Sequence, residues 1–256
     1  MYSIENAMYS QLCKLRDEYG LQGIKAEFEA EGSSFRDLMR LRRLTYKAGV
    51  KLYVKIGGVE AIRDIKDSLE IGVDGIIAPM VESAFGAKKF HDSIERIYGD
   101  HYVHTTLNIE TKLALDNIDD ILNYANEKFD NVTIGRSDLA SSYFDPSITP
   151  DSDFIFTEIE KVGTKVLSSK LTFTVGGSIS SRTIEKINTE YQDICNKIEK
   201  LETRKVMLPT KNFLNSSESI TEALKFEELY ILSKKEFSDM HISSEITRLT
   251  EINRRK

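Results

Sequence analysis

Acidic residues recur where short apolar runs give way to small or polar residues. Glu27, Glu29 and Glu31 lie in KAEFEAEG, Glu82 in APMVES, Glu110 in LNIET and Asp138 in IGRSDLASS, with Lys55 in VKIGG as the basic member of the set. A ring of carboxylates with few histidines suits a hard divalent cation, Mg2+ or Mn2+, which prefers oxygen ligands and retained water to imidazole or thiolate. Glu110 and Asp138 close consecutive runs, so their side chains could converge on one ion and leave positions open for a bidentate 2-keto acid. Such an ion would polarise the carbonyl while a neighbouring C–C bond breaks. The competing reading is that each acid only caps the helix after it, because Asp and Glu are favoured at helix N-termini.

The elements that must position these residues alternate. Seven apolar runs, 23–28, 51–56, 75–80, 102–109, 131–135, 171–175 and 205–208, are rich in β-branched and aromatic residues and are separated by helix-period stretches. That pattern predicts βα units around a parallel sheet, with helices over 34–48, 60–71, 84–97, 112–125, 154–168 and 181–201. In the 34–48 helix, Phe35, Leu38, Met39, Leu41 and Leu44 share one face. The expected fold class is α/β, a single TIM-type (β/α) barrel over 1–256 with an N-terminal helix (1–20), a barrel core (21–210) and a long C-terminal helical extension (211–256). Eight strands close the usual barrel, yet the segment before Gly23 reads as a helix, so the first strand is expected to be missing or modified and closure is left open. In the extension, Leu224, Leu229, Leu232 and Phe237 are spaced for one buried face, directed at the barrel or at a partner subunit.

Composition narrows the function. The chain has 256 residues, 41 acidic against 35 basic, a net charge of -6 and no basic stripe, which argues against a nucleic-acid partner. The N-terminal segment carries charges within a helical pattern, which predicts neither a leader nor a membrane span. Cys13 and Cys195 stand far apart with no CxxC spacing, as in a reducing compartment, and a cytoplasmic location is expected. No GxGxxG, GxxxxGK or GxSxG motif is present, which disfavours Rossmann, P-loop and serine-hydrolase chemistry. The pairs Gly57-Gly58 and Gly176-Gly177 end runs, either to approach an anion closely or to make tight turns. His104, six residues before Glu110 and about 20 Å deeper by strand rise, is expected to be a core histidine.

The stretches GVDGIIAPMVESAFGAKKF (72–90), NIETKLALDNIDDIL (108–122) and IGRSDLASS (134–142), together with KIGG, resemble the core motifs of the HpcH/HpaI aldolase and citrate lyase beta-subunit family over about 120 central residues in the same order. The resemblance implies a metal-dependent barrel of the phosphoenolpyruvate/pyruvate superfamily, acting on a small-molecule 2-keto acid and assembling as a homo-oligomer. It implies Glu110 and Asp138 as metal ligands, and Gly135, Arg136 and Ser137 as the turn whose amides meet the substrate carboxylate. It also implies Glu82 as an acid that orders a water or a metal ligand, and Glu27 where the family often has an aspartate. Two departures bear on activity. Lys55 stands where family aldolases place an arginine, and an ammonium is a point charge rather than a bidentate fork. The acid/base histidine is absent, the local sequence being Glu29-Ala30, so Glu29 or Glu82 is left to handle protons. Lys55 as a Schiff-base nucleophile is the less favoured alternative, because imine and metal chemistries usually exclude each other. The expected activity is an aldolase-type C–C lyase, with an acyl-CoA lyase as runner-up and a non-catalytic barrel subunit as the rival from another class.

Overall fold

In the computed structural model, which describes residues 2–256, the chain closes a barrel in sequence order. The strands are β1 (Gly23–Glu27), β2 (Leu52–Lys55), β3 (Gly75–Ala78), β4 (His104–Ile109), β5 (Asn131–Gly135), β6 (Thr172–Gly176), β7 (Lys200–Glu202) and β8 (Val206–Pro209). Strands β1 to β7 pair in parallel. β8 is antiparallel both to β7 and to β1, and through Ile24↔Val206 and Gly23↔Met207 it completes the circle.

The sequence left closure open; the barrel is closed, and its modification lies in the last strand rather than in a missing first one. No strand precedes β1 among the described residues; the closing strand is the second arm of a hairpin, β7 turning through 203–205 into β8. The helix expected over 181–201 stops at Glu190, and a 3-10 turn, Gln192–Asn196, leads into β7. A three-residue strand of sequence KLE is too short to show a period of two, and its flanking polar residues resemble a helix end.

The outer layer consists of α1 (Ser3–Tyr19), α2 (Phe35–Ala48), α3 (Ile62–Ile71), α4 (Ala84–Tyr98), α5 (Lys112–Asp116), α6 (Ile118–Ala125), α7 (Arg136–Ser141), α8 (Asp153–Val166), α9 (Ser181–Glu190), α10 (Thr210–Asn215) and α11 (Ser219–Asn253). α2 shows why these segments are helical. Ser34 accepts from the Asp37 amide while the Asp37 carboxylate reaches back, and Leu38, Leu41, Leu44 and Ala48 bury one face. Met39, expected on that face, is exposed. The 112–125 helix is split at Asn117, whose side chain donates to the Glu82 carbonyl. α11 packs on α1 and buries Ile220, Ala223, Phe226 and Tyr230, whereas Leu224 and Leu232, expected on the buried face, are exposed. No helix among the described residues is long and apolar enough to cross a membrane.

The main apolar core lies between strands and helices, while the lumen has only a small apolar floor of Tyr53, Ile77 and Met207. Above that floor the inward positions turn polar: Lys25, Asn108, Thr133, Thr174 and Glu202 are all buried. A parallel barrel places its βα turns at the carboxyl ends of the strands, so this polar layer opens toward the mouth where sites are built.

Candidate active site

Glu110 follows β4 directly, and Thr111, not Glu110, caps α5 by accepting from the Ala114 amide. The Glu110 carboxylate is buried, 1% exposed, and turned inward. Its Oε1 accepts from the Met80 amide at 3.0 Å and lies 3.4 Å from Lys55 Nζ, and its Oε2 accepts from Asn108 Nδ2 at 3.1 Å. Burial holds this carboxyl above its ordinary range; the Lys55 ammonium and the Met80 amide oppose that rise, and the nearby charge of Asp138 adds to it. Asp138 is exposed in the first turn of α7 and makes no capping hydrogen bond there. Helix capping therefore accounts for neither acid.

Both acids line one cavity of about 350 Å³ at the mouth, with Lys25, Glu27, Ala30, Lys55, Asn108 and Glu202 among the other walls. Two glycines make this possible. A Cβ on Gly135 would stand 2.5 Å from Glu110 Oε2, so only glycine leaves room for the carboxylate. Gly177, at φ 84°, brings its Cα against the amides of Arg136 and Ser137, where a Cβ would stand 2.7 Å from both nitrogens. Gly177 is thus a close backbone approach as well as a turn, and it seals β6 against the start of α7.

Lys55, at the end of β2, is held between Glu29 Oε2 at 3.1 Å and Glu110 Oε1 at 3.4 Å. Burial works against its charge, but Glu110, Glu29 and Glu27 together push its pKa upward, so it is an ammonium rather than a free amine. The two carboxylates that flank it make it a charge partner in this structure. Ser137 lines the cavity and its hydroxyl lies 2.8 Å from that of Ser178. Ala30 lines the wall at the position where the resemblance leads us to expect a histidine.

Three expected site residues do not line the cavity: Glu29, which reaches it only through its contact with Lys55, Arg136 and Glu82. The Arg136 side chain is fully buried and does not line the cavity. Its guanidinium donates to the carbonyls of Gly176, Gly177 and Pro150, to Asp151 Oδ1 and to Thr183 Oγ1. It can serve the mouth only through its backbone and by tying the 150–151 segment to β6 and α9. Glu82 also lies off the cavity wall and accepts from Thr111 Oγ1 at 2.8 Å, linking two βα loops.

The structure adds a pair that sequence reading missed. Lys25 Nζ is 2.7 Å from Glu202 Oε1 and 3.9 Å from Glu27 Oε1, all three buried on the cavity wall. Burial disfavours the Lys25 ammonium, yet Glu202 and Glu27 outweigh it and raise its pKa. A lysine inside an apolar run was the available signal. Its partner lies on β7, 177 residues away.

A divalent metal fits this donor set. Glu110 and Asp138 offer hard oxygens, no histidine or cysteine lines the cavity, and Asn108 Oδ1 is a buried oxygen on its wall with no hydrogen-bond partner. A second cluster, His91, Asp92 and Glu95 on α4, lies outside this cavity and is accounted for by the i,i+4 contacts His91–Glu95 and Lys88–Asp92.

Residues 37–148 match the family model described as HpcH/HpaI aldolase/citrate lyase. No curated protein matches the sequence. Among solved structures, an HpcH/HpaI aldolase from Desulfitobacterium hafniense DCB-2 is 19% identical with a TM-score of 0.60, covering 76% of this chain and 82% of its own. An HpcH/HpaI aldolase/citrate lyase family protein from Burkholderia cenocepacia J2315 is 12% identical with a TM-score of 0.61, covering 86% and 89%. The citrate synthase SbnG is 19% identical with a TM-score of 0.55, covering 74% and 78%. At these identities the likeness is one of fold. The matched segment carries Lys55, Glu82, Glu110 and Asp138, so the stretch of chain that builds β2 to β5 and their mouth is similar to the HpcH/HpaI aldolase/citrate lyase family.

Proposed function

We propose that this chain is a divalent-metal-dependent C–C lyase of the aldolase type, cleaving or forming a bond next to the carbonyl of a 2-keto acid. The observation that carries the reading is the pairing of Glu110 and Asp138 in one cavity, neither spent on a helix cap, beside the orphaned Asn108 Oδ1. Glu110 and Asp138 hold Mg2+ or Mn2+, which when bound supplies a Lewis acid for the keto carbonyl. Lys55, already an ammonium, neutralises the substrate carboxylate, and the Gly135–Ser137 turn shapes the wall around it. In the cleavage direction a base removes the proton of the 4-hydroxyl, the C3–C4 bond breaks to release an aldehyde, and C3 of the pyruvate enolate regains a proton. Glu29, next to Ala30 in the chain and 3.1 Å from Lys55, would hold that proton through water. Glu82 acts at most indirectly, through Thr111.

An acyl-CoA lyase or a synthase running in the bond-forming direction would use the same wall, and the fold likeness to a citrate synthase keeps that reading open. The test is pyruvate release from 4-hydroxy-2-keto acids with Mg2+, Mn2+ or chelator. Glu110→Gln and Asp138→Asn are each expected to lower turnover by on the order of 10³-fold. If neither metal binds and both variants behave as the wild type, the barrel is a non-catalytic subunit. We further propose a homo-oligomer, because Ile242, Ile246, Leu249 and Ile252 on the far half of α11 are 43–58% exposed. A monomer by light scattering at micromolar concentration would contradict it.

A further inference from the structure

The Asp138 carboxylate is exposed and caps nothing, so its place at the mouth is set by the backbone that carries it, the first turn of α7. Two ties hold that turn from inside the protein. The Arg136 guanidinium donates to the Gly176 and Gly177 carbonyls, and the Gly177 backbone packs against the Arg136 and Ser137 amides. A third tie faces the cavity: Ser137 Oγ and Ser178 Oγ are 2.8 Å apart, and both residues line the wall with Asp138.

Ser178 reaches Ser137 from a backbone with φ 54°, directly after Gly177 at φ 84°. The turn itself does not call for a serine. Gly177 must be glycine because a Cβ would meet the Arg136 and Ser137 amides, whereas the left-handed backbone at 178 would be relaxed by glycine and is unfavourable for a residue with a Cβ. Such conformations persist where the surroundings enforce them, and they gather at functional sites. Among the described residues four that are not glycine have positive φ: Met80, Glu127, Phe144 and Ser178. Glu127 and Phe144 are not on the cavity wall. The other two each serve one of the paired acids: Met80 holds Glu110 through its amide, and Ser178 holds the residue before Asp138 through its hydroxyl.

We propose that Ser178 is a positioning residue for the metal: through Ser137 it fixes the first turn of α7 so that the Asp138 carboxylate stays directed at the ion it shares with Glu110. The proposal rests on the lyase reading for the metal itself, and it adds to that site a residue beyond the matched segment 37–148.

The test is manganese binding, read from the paramagnetic resonance signal of the free ion, beside thermal unfolding of the metal-free protein. Ser178→Gly and Ser178→Ala both remove the hydroxyl, and only the glycine relaxes the backbone. The glycine variant should therefore unfold at the higher temperature of the two, while both bind manganese about threefold more weakly than the wild type. Ser137→Ala should show the same loss, and Ser137→Ala/Ser178→Ala should lose no more than either single variant, because one contact is removed in all three. Ser178→Asn, tolerant of a left-handed backbone and able to bond a hydroxyl, should restore part of the affinity. A residue that only shapes the turn would move the melting temperature and leave manganese affinity alone. That result, or additive losses in the double variant, would overturn the proposal while wild-type manganese binding kept the lyase reading standing. A wild type that binds no manganese would instead remove the metal from the lyase reading, and this proposal with it.

Discussion

The Met80 amide donates to Glu110 Oε1 at 3.0 Å from a backbone with φ 49°, a conformation that residues with a Cβ rarely adopt. Strain of this kind costs on the order of 1–3 kcal/mol and persists only when its surroundings enforce it. Here it aims an N–H at the buried carboxylate that we assign to the metal. Met80→Gly should keep the hydrogen bond and raise stability by up to about 1 kcal/mol, whereas Met80→Val should lose about 2 kcal/mol and weaken manganese binding. Thermal unfolding with and without manganese checks both; equal melting temperatures for the two variants would refute it.

Lys25 and Glu202 form a buried ion pair whose members are worth little singly. Lys25→Met leaves Glu202 and Glu27 without their cation and is expected to cost about 3–5 kcal/mol. The double variant Lys25→Met/Glu202→Leu should recover part of that loss, because Glu202 is no longer stranded while Glu27 stays buried beside the apolar substitute. Urea unfolding of the full double-mutant cycle measures the coupling, and additive losses would show that the two side chains do not act as a pair.

His104 opens β4 with its ring edge-on to Tyr53, centroids 5.4 Å apart, and its buried Nδ1 has no partner. Burial, only partly offset by Asp130, lowers its pKa from 6.5 to about 4. The unfolded chain therefore takes up a proton at a higher pH than the folded one. The stability from the neutral ring is fully present above pH 6.5 and lost as pH falls from there toward 4, amounting to about 3 kcal/mol. His104→Gln should flatten the unfolding midpoint across that window. An unchanged pH profile would mean that the ring is not the titrating group.

Arg136 is expected to act on stability rather than as a substrate contact. Arg136→Met leaves Asp151 and the carbonyls of Pro150, Gly176 and Gly177 without a donor, and about 3 kcal/mol should be lost. Hydrogen exchange should quicken over 149–153 and 176–183. If exchange there is unaffected while affinity for a keto acid falls, the guanidinium belongs to the site after all.

What was legible in the sequence is what local patterning encodes. Short apolar runs rich in β-branched and aromatic residues, alternating with amphipathic stretches, located six of the eight strands as parallel barrel strands and most of the helices. The carboxylates at the ends of β4 and β5 were legible because strand ends deliver side chains to the mouth, and family-like motifs surround them. β8 was seen as a run, but its direction was not, since a short apolar run reads the same in a parallel and an antiparallel strand. β7 was invisible, three residues carrying no period.

Sequence by itself settled the fold class and put Lys55, Glu110 and Asp138 at one rim. Only the tertiary structure decided how the barrel closes, that Arg136 is turned into the protein while Lys25 faces the cavity, and that Glu202 is its partner. The reason is physical: closure and charge pairing are contacts between residues as far as 177 positions apart, set by the shared lumen of the closed sheet. Periodicity reports only which face a residue occupies on its own element.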